Sequence, residues 1–438
     1  MSEAQLTAVQ SWGRVGAPGH RVVTPNGIGQ ARAVIARSDG WLAHGMGRSY
    51  GDVALNAGGT LISTRALDRF VSFDGDSGIL EAEAGVTLDE VIRVALPHGW
   101  FLPTTPGTKH VSLGGAVAND VHGKNHHRAG TFGCWIHSLE LARSDGSLRA
   151  CRPDANTEMF RATIGGLGMT GLITRVTLQL ARVPGGFLDS EDVAFADLEE
   201  FFDLAARSDA AGWEHTVAWV DCAGPRAGRG IFSRANWSSD GDRQARLEGF
   251  KLRVPLDAPA FLLNRFSVRM FNELYFRVKA ARTKRARIHF DASFYPLDGI
   301  VDWNRLYGRP GFYQYQCVLP RPVQKEAMVV LLGEIAKSGQ ASFLAVMKQF
   351  GERSSPGLLS FPMPGTHIAL DFPNRGSVTE ALFERLDAVV ASAGGRLYPA
   401  KDGRMPARLF RSGYPHWAQV DALRDPHVRS DFWRRVAG

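Results

Sequence analysis

The chain has 438 residues, 44% of them hydrophobic and 22% charged, which is the composition of a folded globular protein. This length exceeds the size at which one hydrophobic core usually stops growing, so we expect two domains. The net charge of +7 is small and dispersed, and it does not indicate nucleic-acid binding.

The amino terminus lacks the features of a secretory signal. It reads Met-Ser-Glu-Ala-Gln-Leu, with no basic region followed by an apolar one, and no run of the chain approaches the ~18 apolar residues of a membrane span. The four cysteines form no Cys-x-x-Cys pair, which argues against a zinc knuckle or a dithiol motif. We therefore expect a cytoplasmic protein without a signal peptide, soluble or peripheral at the inner membrane.

The first part of the chain is dense in glycine and alternates short β-rich runs with turns. Residues 78–84 and 172–180 show the period-two alternation of strands. Between them, Thr87 and Glu90 have the spacing of a capping box and predict the start of an amphipathic helix. We expect an amino-terminal domain over residues 9–183.

The second part of the chain loses the glycine density and gains aromatic residues. It is predicted to form a substrate domain over 184–393, and a turn-rich segment over 394–438 follows it. The predicted strands lie at 213–220, 288–295 and 312–319, and the predicted helices at 324–337 and 379–393.

Two glycine-rich segments look like the halves of a cofactor cradle. Residues 43–51 read Ala-His-Gly-Met-Gly-Arg-Ser-Tyr-Gly, and about seventy residues later 114–127 begin with Gly-Gly-Ala-Val-Ala-Asn-Asp-Val-His. Gly45, Gly47 and Gly51 free the backbone to bend tightly and to aim successive amides at one anionic group. A loop of this kind can grip a pyrophosphate without a lysine.

A third glycine cluster matches a dinucleotide fingerprint but lacks its context. Gly166, Gly168 and Gly171 fit G-x-G-x-x-G, and Asp189 lies about twenty residues on, where that fingerprint expects an acidic residue. The fingerprint needs a helix directly after the glycines, whereas residues 172–178 read as a strand. We therefore predict a glycine turn beside the flavin.

Five motifs in order resemble the vanillyl-alcohol-oxidase type of FAD enzyme, from about residue 20 to the end of the chain. Within that family the similarity is to enzymes that oxidise a polyprenylphosphoryl ribose. The resemblance implies an α+β fold with a two-part PCMH-type FAD-binding domain and a substrate (cap) domain built on an antiparallel sheet with helices. The motifs lie at 45–52, 102–108, 113–127, 165–171 and 398–402.

The resemblance implies which positions contact FAD. The first loop would wrap the pyrophosphate, and later segments would complete the bed of the cofactor. The matching residues are Ala43, His44, Gly45, Met46, Gly47, Arg48, Ser49, Tyr50, Gly51, Asp52, Val53, Gly107, Ser112, Leu113, Gly114, Gly115, Asn119, Asp120, Val121, His122, Ile173 and Tyr398.

The resemblance also implies the reaction, in which a hydride leaves a sugar carbon for flavin N5 while the hydroxyl loses its proton. Lys401 matches a lysine near the reactive side of the flavin, where a fixed cation favours the reduced cofactor. Tyr50, Tyr315 or His122 could take the proton, and His122 ranks first because its ordinary pKa lies nearest the working pH. The alternative for His122 is a histidine that only hydrogen-bonds backbone. The substrate-pocket positions are Trp219, Tyr315, Lys348, His367, Ala369 and Lys401.

Two departures from family patterns have consequences. Arg48 stands where many relatives carry a flavin-linked histidine, and a guanidinium cannot form that bond, so we expect noncovalent FAD. His367 and Ala369 replace an asparagine and a cysteine that family members usually have, which leaves the exact sugar and lipid open. The adjacent His126 and His127 have no acidic partner at ligand spacing, so we expect no metal site.

One stretch mixes basic and apolar residues and could lie against anionic headgroups or bind a phosphate diester. The alternative is a loop plus a core helix with a solvated basic face. The basic residues are Arg265, Arg269, Arg277, Lys279, Arg282, Lys284, Arg285 and Arg287, and the apolar ones are Phe261, Leu262, Leu263, Phe266, Met270, Phe271, Leu274 and Phe276.

Together, these features predict an FAD-dependent oxidoreductase that oxidises the 2-hydroxyl of a polyprenylphosphoryl ribose. The keto product would pass to a separate short-chain NAD(P)-dependent reductase, which completes an epimerisation to the arabinose lipid. One alternative is an FAD-dependent oxidase or dehydrogenase of a free alditol or sugar lactone. A flavin-free carbohydrate- or nucleic-acid-binding protein is the alternative of another class, since glycine-rich loops also occur in lectin-like folds.

Overall fold

The computed structural model describes residues 6–224, 227–239, 241–243, 252–281 and 285–438. Within these ranges the chain combines mainly antiparallel sheets with helices, which confirms the predicted α+β class. No helix in the described ranges is long and apolar enough to cross a bilayer.

The first part of the chain forms two sheets. The strands are β1 (Thr7–Ala8), β2 (Gly19–Val23), β3 (Trp41–His44), β4 (Thr60–Ser63), β5 (Phe70–Phe73), β6 (Ile79–Glu83), β7 (Trp100–Phe101), β8 (Ile136–Ala142), β9 (Leu148–Cys151), β10 (Leu172–Gln179) and β11 (Ala181–Arg182). One sheet has the order β1-β2-β4-β3, the other is antiparallel with the order β5-β6-β10-β8-β9, and β11 pairs with β7. The helices are α1 (Ile28–Ile35), α2 (Leu88–Ala95), α3 (Leu113–Ala118), α4 (His126–Ala129) and α5 (Thr157–Thr163).

The second part is organised around an antiparallel sheet of eight strands. The strands are β12 (Phe187–Phe195), β13 (His215–Val220), β14 (Gly230–Trp237), β15 (Leu252–Arg253), β16 (Arg285–His289), β17 (Ile300–Val301), β18 (Phe312–Pro320), β19 (Ala345–Phe350), β20 (Gly365–Pro373) and β21 (Arg396–Leu397). The sheet has the order β16-β12-β14-β13-β19-β20-β18-β21, and β15 pairs with β17. The helices are α6 (Leu198–Ala210), α7 (Arg265–Ala280), α8 (Phe290–Phe294), α9 (Gln324–Ser338), α10 (Ser377–Ser392), α11 (Ala407–Gly413), α12 (Trp417–Leu423) and α13 (Asp431–Val436).

Most predicted elements are present. Strands β6, β10, β13 and β18 and helices α9 and α10 lie at the predicted places. The capping box of α2 forms, since Thr87 accepts from the Glu90 amide and Glu90 accepts from the Thr87 amide. Because β10 begins directly after Gly171, the G-x-G-x-x-G cluster leads into a strand and not into a helix. This confirms that the cluster lacks the context of a dinucleotide site.

The single strand predicted for 288–295 is wrong. Strand β16 ends at His289 and helix α8 begins at Phe290. The His289 ring accepts a hydrogen bond from the Asp291 amide at 3.2 Å, and a side-chain acceptor at this position satisfies an amide that would otherwise lack a partner at the start of a helix.

The two faces of the eight-stranded sheet have different surroundings, because successive side chains of a strand point to opposite faces. On β18, Tyr315 and Cys317 lie on one face, which packs with Phe383 of α10 in a hydrophobic core. Gln314 and Gln316 lie on the other face. We call this second face of the sheet the site face.

The carboxyl-terminal segment returns to the first part of the chain. The Trp41 amide at the start of β3 donates to the His427 carbonyl at 3.0 Å, and β21 joins the edge of the eight-stranded sheet. The predicted boundary between 183 and 184 falls between β11 and β12. The division into 9–183, 184–393 and 394–438 stays a prediction.

Gly51 lies where the carboxyl-terminal segment crosses the first glycine loop. A Cβ at Gly51 would stand 1.6 Å from the Asp402 carbonyl oxygen, so the two backbones could not keep their positions. We predict that Gly51→Ala lowers the free energy of unfolding by at least about 2 kcal/mol in urea titration, because the added methyl overpacks the contact.

Gly29→Ala is the matched control, since Gly29 lies in α1 and a Cβ there meets open space. This substitution should leave stability unchanged or raise it by up to about 1 kcal/mol. Equal unfolding curves for Gly51→Ala and the parent protein would contradict the proposed contact.

Candidate active site

Residues 43–53 comprise the end of β3 and the first part of the loop to β4, and backbone hydrogen bonds from both ends of the chain hold this loop. The Tyr50 amide donates to the Ala400 carbonyl at 3.0 Å, and the Trp12 amide donates to the Ser49 carbonyl at 2.8 Å. The conformation of this loop therefore depends on the carboxyl-terminal segment.

The second glycine segment packs directly against this loop. A Cβ at Gly45 would lie 2.5 Å from the Ser112 hydroxyl, which itself caps α3 by accepting from the Gly115 amide. Asn119 ends the segment, and its carbonyl accepts from the Tyr398 hydroxyl at 2.9 Å. The Asn119 side-chain oxygen is buried and has no hydrogen-bond partner. The second segment thus contacts the first loop at Ser112 and Tyr398 at Asn119, and it carries one buried, unsatisfied polar group.

Other predicted cofactor residues have side chains that are occupied elsewhere. Asp52 forms an ion pair with Arg435 at 2.7 Å, and Asp120 accepts from the Gly133 amide at 2.7 Å. These residues can serve a cofactor only through their backbone or the outer surface of their side chains. The predicted aliphatic cofactor residues that are buried in the two main hydrophobic cores are Val53, Leu113, Val121 and Ile173.

Arg48 does not point freely into the cradle. Its guanidinium stacks on the Trp12 ring at 4.1 Å and donates to the His110 carbonyl at 3.3 Å. His44, four residues earlier, places its ring nitrogen 3.1 Å from the Ala54 carbonyl oxygen. Gly107 has open space where a Cβ would be, so backbone is accessible there.

Two lysines lie at this site, and within the described ranges neither forms an ion pair, although the Asp371 carboxyl acts on Lys401 from a greater distance. The Lys401 ammonium lies 3.9 Å from the centre of the Tyr50 ring, and the Lys348 ammonium lies 3.4 Å from Nδ1 of His122. Burial lowers the pKa of Lys348 to about 7 and that of Lys401 to about 8. Below these pH values both amines are charged and withdrawn from water, which makes the site suited to an anionic ligand.

His122 is buried against the site face, where its ring contacts side chains of β18, β19 and β20. Its Nε2 lies 3.3 Å from the Gln316 side-chain nitrogen, and the ring packs edge-on against Phe350 at 4.9 Å. Burial, and next the charge of Lys348, hold the pKa of His122 well below its ordinary value, so the ring is neutral. Its side-chain contacts are with other side chains and not with loop backbone.

The strand register shows on which face of the sheet each of the remaining predicted pocket residues lies. His367 pairs with Lys348 on the neighbouring strand and shares its face, and both of its ring nitrogens are buried without partners. Ala369 pairs with Gln316, and Trp219 pairs with Val346, on that same face. The structure therefore places His367, Ala369 and Trp219 on the site face.

Tyr315 lies on the opposite face from these residues. Its hydroxyl donates to Asp387 of α10 at 3.0 Å and its ring packs on Phe383 at 5.1 Å, in the core beneath the helices. It pairs with Leu370, whose side chain belongs to that core. The prediction that Tyr315 is catalytic and contacts substrate is therefore corrected, since the sheet separates it from His122.

Three residues of the site were missed by sequence reasoning. Asp371 is buried on the site face, accepts from the Gln314 side chain at 2.6 Å, and has a pKa raised by burial to about 7. Gln316 contacts His122. The sequence Phe-Tyr-Gln-Tyr-Gln at 312–316 could have indicated the glutamines. Successive side chains of a strand point to opposite faces, so Gln314 and Gln316 must share the face that Tyr315 does not occupy.

His126 and His127 each have a protein partner. The His126 ring accepts from the Gly351 amide at 3.3 Å, and His127 places Nε2 3.1 Å from the Trp213 carbonyl oxygen. These contacts anchor α4 to neighbouring segments.

Comparison with known proteins identifies the class to which this cradle belongs. A family model for an FAD binding domain matches residues 20–152, which include both glycine segments. The fold and the site thus define an FAD-binding protein.

The relatives make the identification narrower. Over 422 residues the chain is 36% identical to decaprenylphosphoryl-β-D-ribose oxidase of Mycolicibacterium smegmatis, an alignment that covers 92% of this chain and 91% of the relative. It is 34% identical to an uncharacterized Streptomyces coelicolor protein, over 80% of this chain and all of the relative. Alditol oxidase of a Streptomyces species is 29% identical over 40% of this chain and 42% of the relative. The chain belongs to the decaprenylphosphoryl-β-D-ribose oxidase family and is an FAD-dependent oxidoreductase.

The residues of the site fit FAD. The close approach of Gly45 to Ser112 leaves room for backbone only, as in loops that bring amides to a pyrophosphate. The orphaned Asn119 oxygen can accept a hydrogen bond from a cofactor, and the two lysines can balance its charge.

We predict that the FAD is bound noncovalently, because Arg48 occupies the place of the flavin-linked histidine and stacks on Trp12. Acid precipitation of the purified protein should release all of the flavin absorbance into the supernatant. Yellow colour that stays with the precipitated protein after washing would contradict this prediction.

Proposed function

We propose that the protein oxidises the 2-hydroxyl of a polyprenylphosphoryl-β-D-ribose to the 2-keto sugar. The observation that carries the proposal is the meeting of Lys348, Lys401 and neutral His122 on the site face, beside the glycine segments of the FAD-binding domain. The name of the Mycolicibacterium relative, which aligns over nine-tenths of the chain, supports this substrate.

In this proposal the two glycine segments hold the cofactor. The backbone of residues 43–53 and 112–122 would bind the pyrophosphate, and Asn119 and Tyr398 would lie beside the flavin. When bound, FAD supplies the acceptor for the hydride that leaves the sugar carbon. The chain itself supplies position, charge and a path for the proton.

Lys401 has the electrostatic role. Its ammonium lies over the ring of Tyr50 in the first loop, and Asp371 raises its pKa against the larger opposing effect of burial. A fixed cation at this place stabilises the negative charge that arrives with the hydride. Asp371 and Gln314 keep the polar side of the site ordered beneath it.

His122 and Lys348 provide the proton path. With the Lys348 amine in its neutral form, the imidazole would accept the proton of the 2-hydroxyl at Nε2 and give up its Nδ1 proton to the Lys348 nitrogen, 3.4 Å away. Because burial lowers the pKa of Lys348 to about 7, this amine can take up a proton near neutral pH. The bond that remains between the sugar carbon and oxygen becomes the carbonyl of the product.

The substrate sugar would lie between His122 and the middle of the sheet. His367, with two unpartnered ring nitrogens, would hydrogen-bond a sugar or phosphoryl oxygen there, and Ala369 and Trp219 would form the apolar floor. We also propose that the keto product passes to a separate short-chain NAD(P)-dependent reductase. Since the substrate carries a polyprenyl chain, the protein would work as a peripheral protein at a membrane.

Lys401 should impose a pH limit on the rate of flavin reduction. The ammonium is charged below its pKa of about 8, so the rate constant for anaerobic flavin bleaching by substrate should fall as the pH rises through about 8. Lys401→Met should lower the rate about 100-fold at pH 7 and abolish this fall, because the charge is absent at every pH.

Lys401→Arg is the conservative control. A guanidinium keeps its charge at alkaline pH, so this variant should retain more activity than Lys401→Met and lose the fall near pH 8. A Lys401→Met variant with the pH profile of the parent protein would exclude the proposed role.

The proposed substrate is tested by anaerobic absorption spectroscopy of the FAD-loaded protein. Polyprenylphosphoryl ribose should bleach the visible flavin bands, whereas the arabinose epimer, whose 2-hydroxyl points to the other side of the ring, should bleach them much more slowly. Bleaching by free alditols or sugar lactones, with no response to the ribose lipid, would instead favour the alternative oxidase activity.

A further inference from the structure

Helix α7 carries its apolar side chains on the outside. Phe266, Met270, Leu274 and Val278 recur every four residues and so form one row along the helix. All four are exposed, with Phe266 at 76% and Leu274 at 62%. An amphipathic helix of a globular protein normally buries such a row against its core.

A second row of α7 is basic and runs beside the apolar row. Arg265, Arg269 and Arg277 are exposed and follow the same four-residue spacing, with Glu273 as the one acidic residue of the helix. Lys279 follows in the last turn. Arg277 forms an ion pair with Glu273 at 2.6 Å and Lys279 forms one with Asp192 at 3.0 Å, so Arg265 and Arg269 supply the positive charge of this surface. Arg282 and Lys284 of the predicted basic stretch lie outside the described residues.

The apolar surface extends beyond the helix. Phe261 and Leu262, in the short turn before α7, are exposed at 73% and 49%, and Leu252 and Leu256 nearby in sequence are also exposed. Beside the helix lies a cleft of about 870 Å³, whose walls include Phe266 and other side chains of α7. We call the exposed side chains of 252–278 the α7 surface.

The inner side of α7 is fixed to the sheet that carries the site. Asn272 is fully buried and donates to Asp221 at 2.9 Å, and the Tyr275 ring packs on Trp219 at 4.8 Å. Trp219 pairs with Val346, which lies two residues before Lys348 on the same face of β19. The α7 surface therefore lies on the outer side of an element whose inner side contacts the proposed substrate pocket.

We propose that the α7 surface docks on the face of an anionic lipid bilayer and that the polyprenyl chain of the substrate enters the site from there. Phe266, Met270 and Leu274 would enter the acyl boundary, and the arginine row would contact phosphate headgroups. The entry of the substrate rests on the proposed function, whereas the docking of the surface does not.

The composition of the surface favours a bilayer over a protein partner. Interfacial helices combine an exposed apolar row with arginines and lysines that reach headgroups, and α7 shows both rows side by side. A bilayer accommodates isolated projecting side chains such as Phe261 and Leu256 without a shape-matched groove.

The test is binding of the FAD-loaded protein to vesicles without substrate, measured by co-sedimentation. The protein should bind vesicles of phosphatidylglycerol mixed with phosphatidylcholine, and bind phosphatidylcholine alone much more weakly. The triple variant Phe266→Ser, Met270→Ser, Leu274→Ser should bind at least about tenfold more weakly to the mixed vesicles. Arg265→Gln with Arg269→Gln should lose most of the preference for anionic lipid.

The matched control is Val329→Ser with Val330→Ser on α9. These valines are exposed to a similar degree as the apolar residues of α7, but α9 packs on the opposite face of the eight-stranded sheet. This control should bind vesicles like the parent protein. A parent protein that does not bind mixed vesicles, or a triple variant that binds as the parent does, overturns the proposal. A triple variant that keeps vesicle binding but loses binding to the purified reductase reassigns the surface to a protein partner.

Activity separates this proposal from the proposed function. With a water-soluble short-chain phosphoryl riboside, the triple variant should bleach its flavin at the rate of the parent protein, and with vesicle-embedded substrate it should be at least about tenfold slower. If the parent protein binds vesicles but oxidises neither riboside, the proposed function fails while the docking surface stands. Equal rates of parent and triple variant on embedded substrate would contradict the entry route.

Discussion

The architecture depends on keeping the amino groups of Lys348 and Lys401 out of water, with no carboxylate of the described residues at ion-pair distance. Moving a cation into a medium of low dielectric constant is unfavourable, and the lowered pKa values of Lys348 and Lys401 reflect this cost. An anionic ligand at the same place removes the cost. The site is therefore arranged to be stabilised by what it binds, and its charge comes from residues that are far apart in sequence.

The eight-stranded sheet makes this arrangement possible. One face packs on helices and forms the hydrophobic core of the second part of the chain, so the strands are held firmly. The other face presents the polar side chains of Lys348, His367 and Asp371, and Lys348 contacts His122 there. The carboxyl-terminal segment then brings Lys401 from the edge of this sheet to the first glycine loop, through the hydrogen bond between Tyr50 and Ala400. The carboxyl-terminal segment thus connects the first glycine loop to the eight-stranded sheet.

Local signals in the sequence predicted much of the fold. The capping box at Thr87, the strand after Gly171 and the helices α9 and α10 depend on neighbours within a few residues, and these are present as predicted. The strand expected over 288–295 was wrong because the cap at His289 outweighs the apolar pattern.

The site was less accessible to sequence reasoning, because it depends on which face of a strand meets which loop. The glycine segments and Lys401 were found through motifs, yet Tyr315 was assigned to the pocket although its neighbours Gln314 and Gln316 occupy the site face. The alternation of side chains along a strand shows which residues share a face, but it does not show which of the two faces packs on helices. Asp371 was missed for the same reason, since its role follows from pairing between β18 and β20.

The most direct test of the central claim is the midpoint reduction potential of FAD in the parent protein and in Lys401→Met, each titrated under the same conditions. In the proposed site the Lys401 charge lies beside the flavin and stabilises added negative charge, so the potential should be lower in the variant. Equal potentials in two proteins that retain the same FAD content would show that Lys401 does not act on the flavin and would contradict the account.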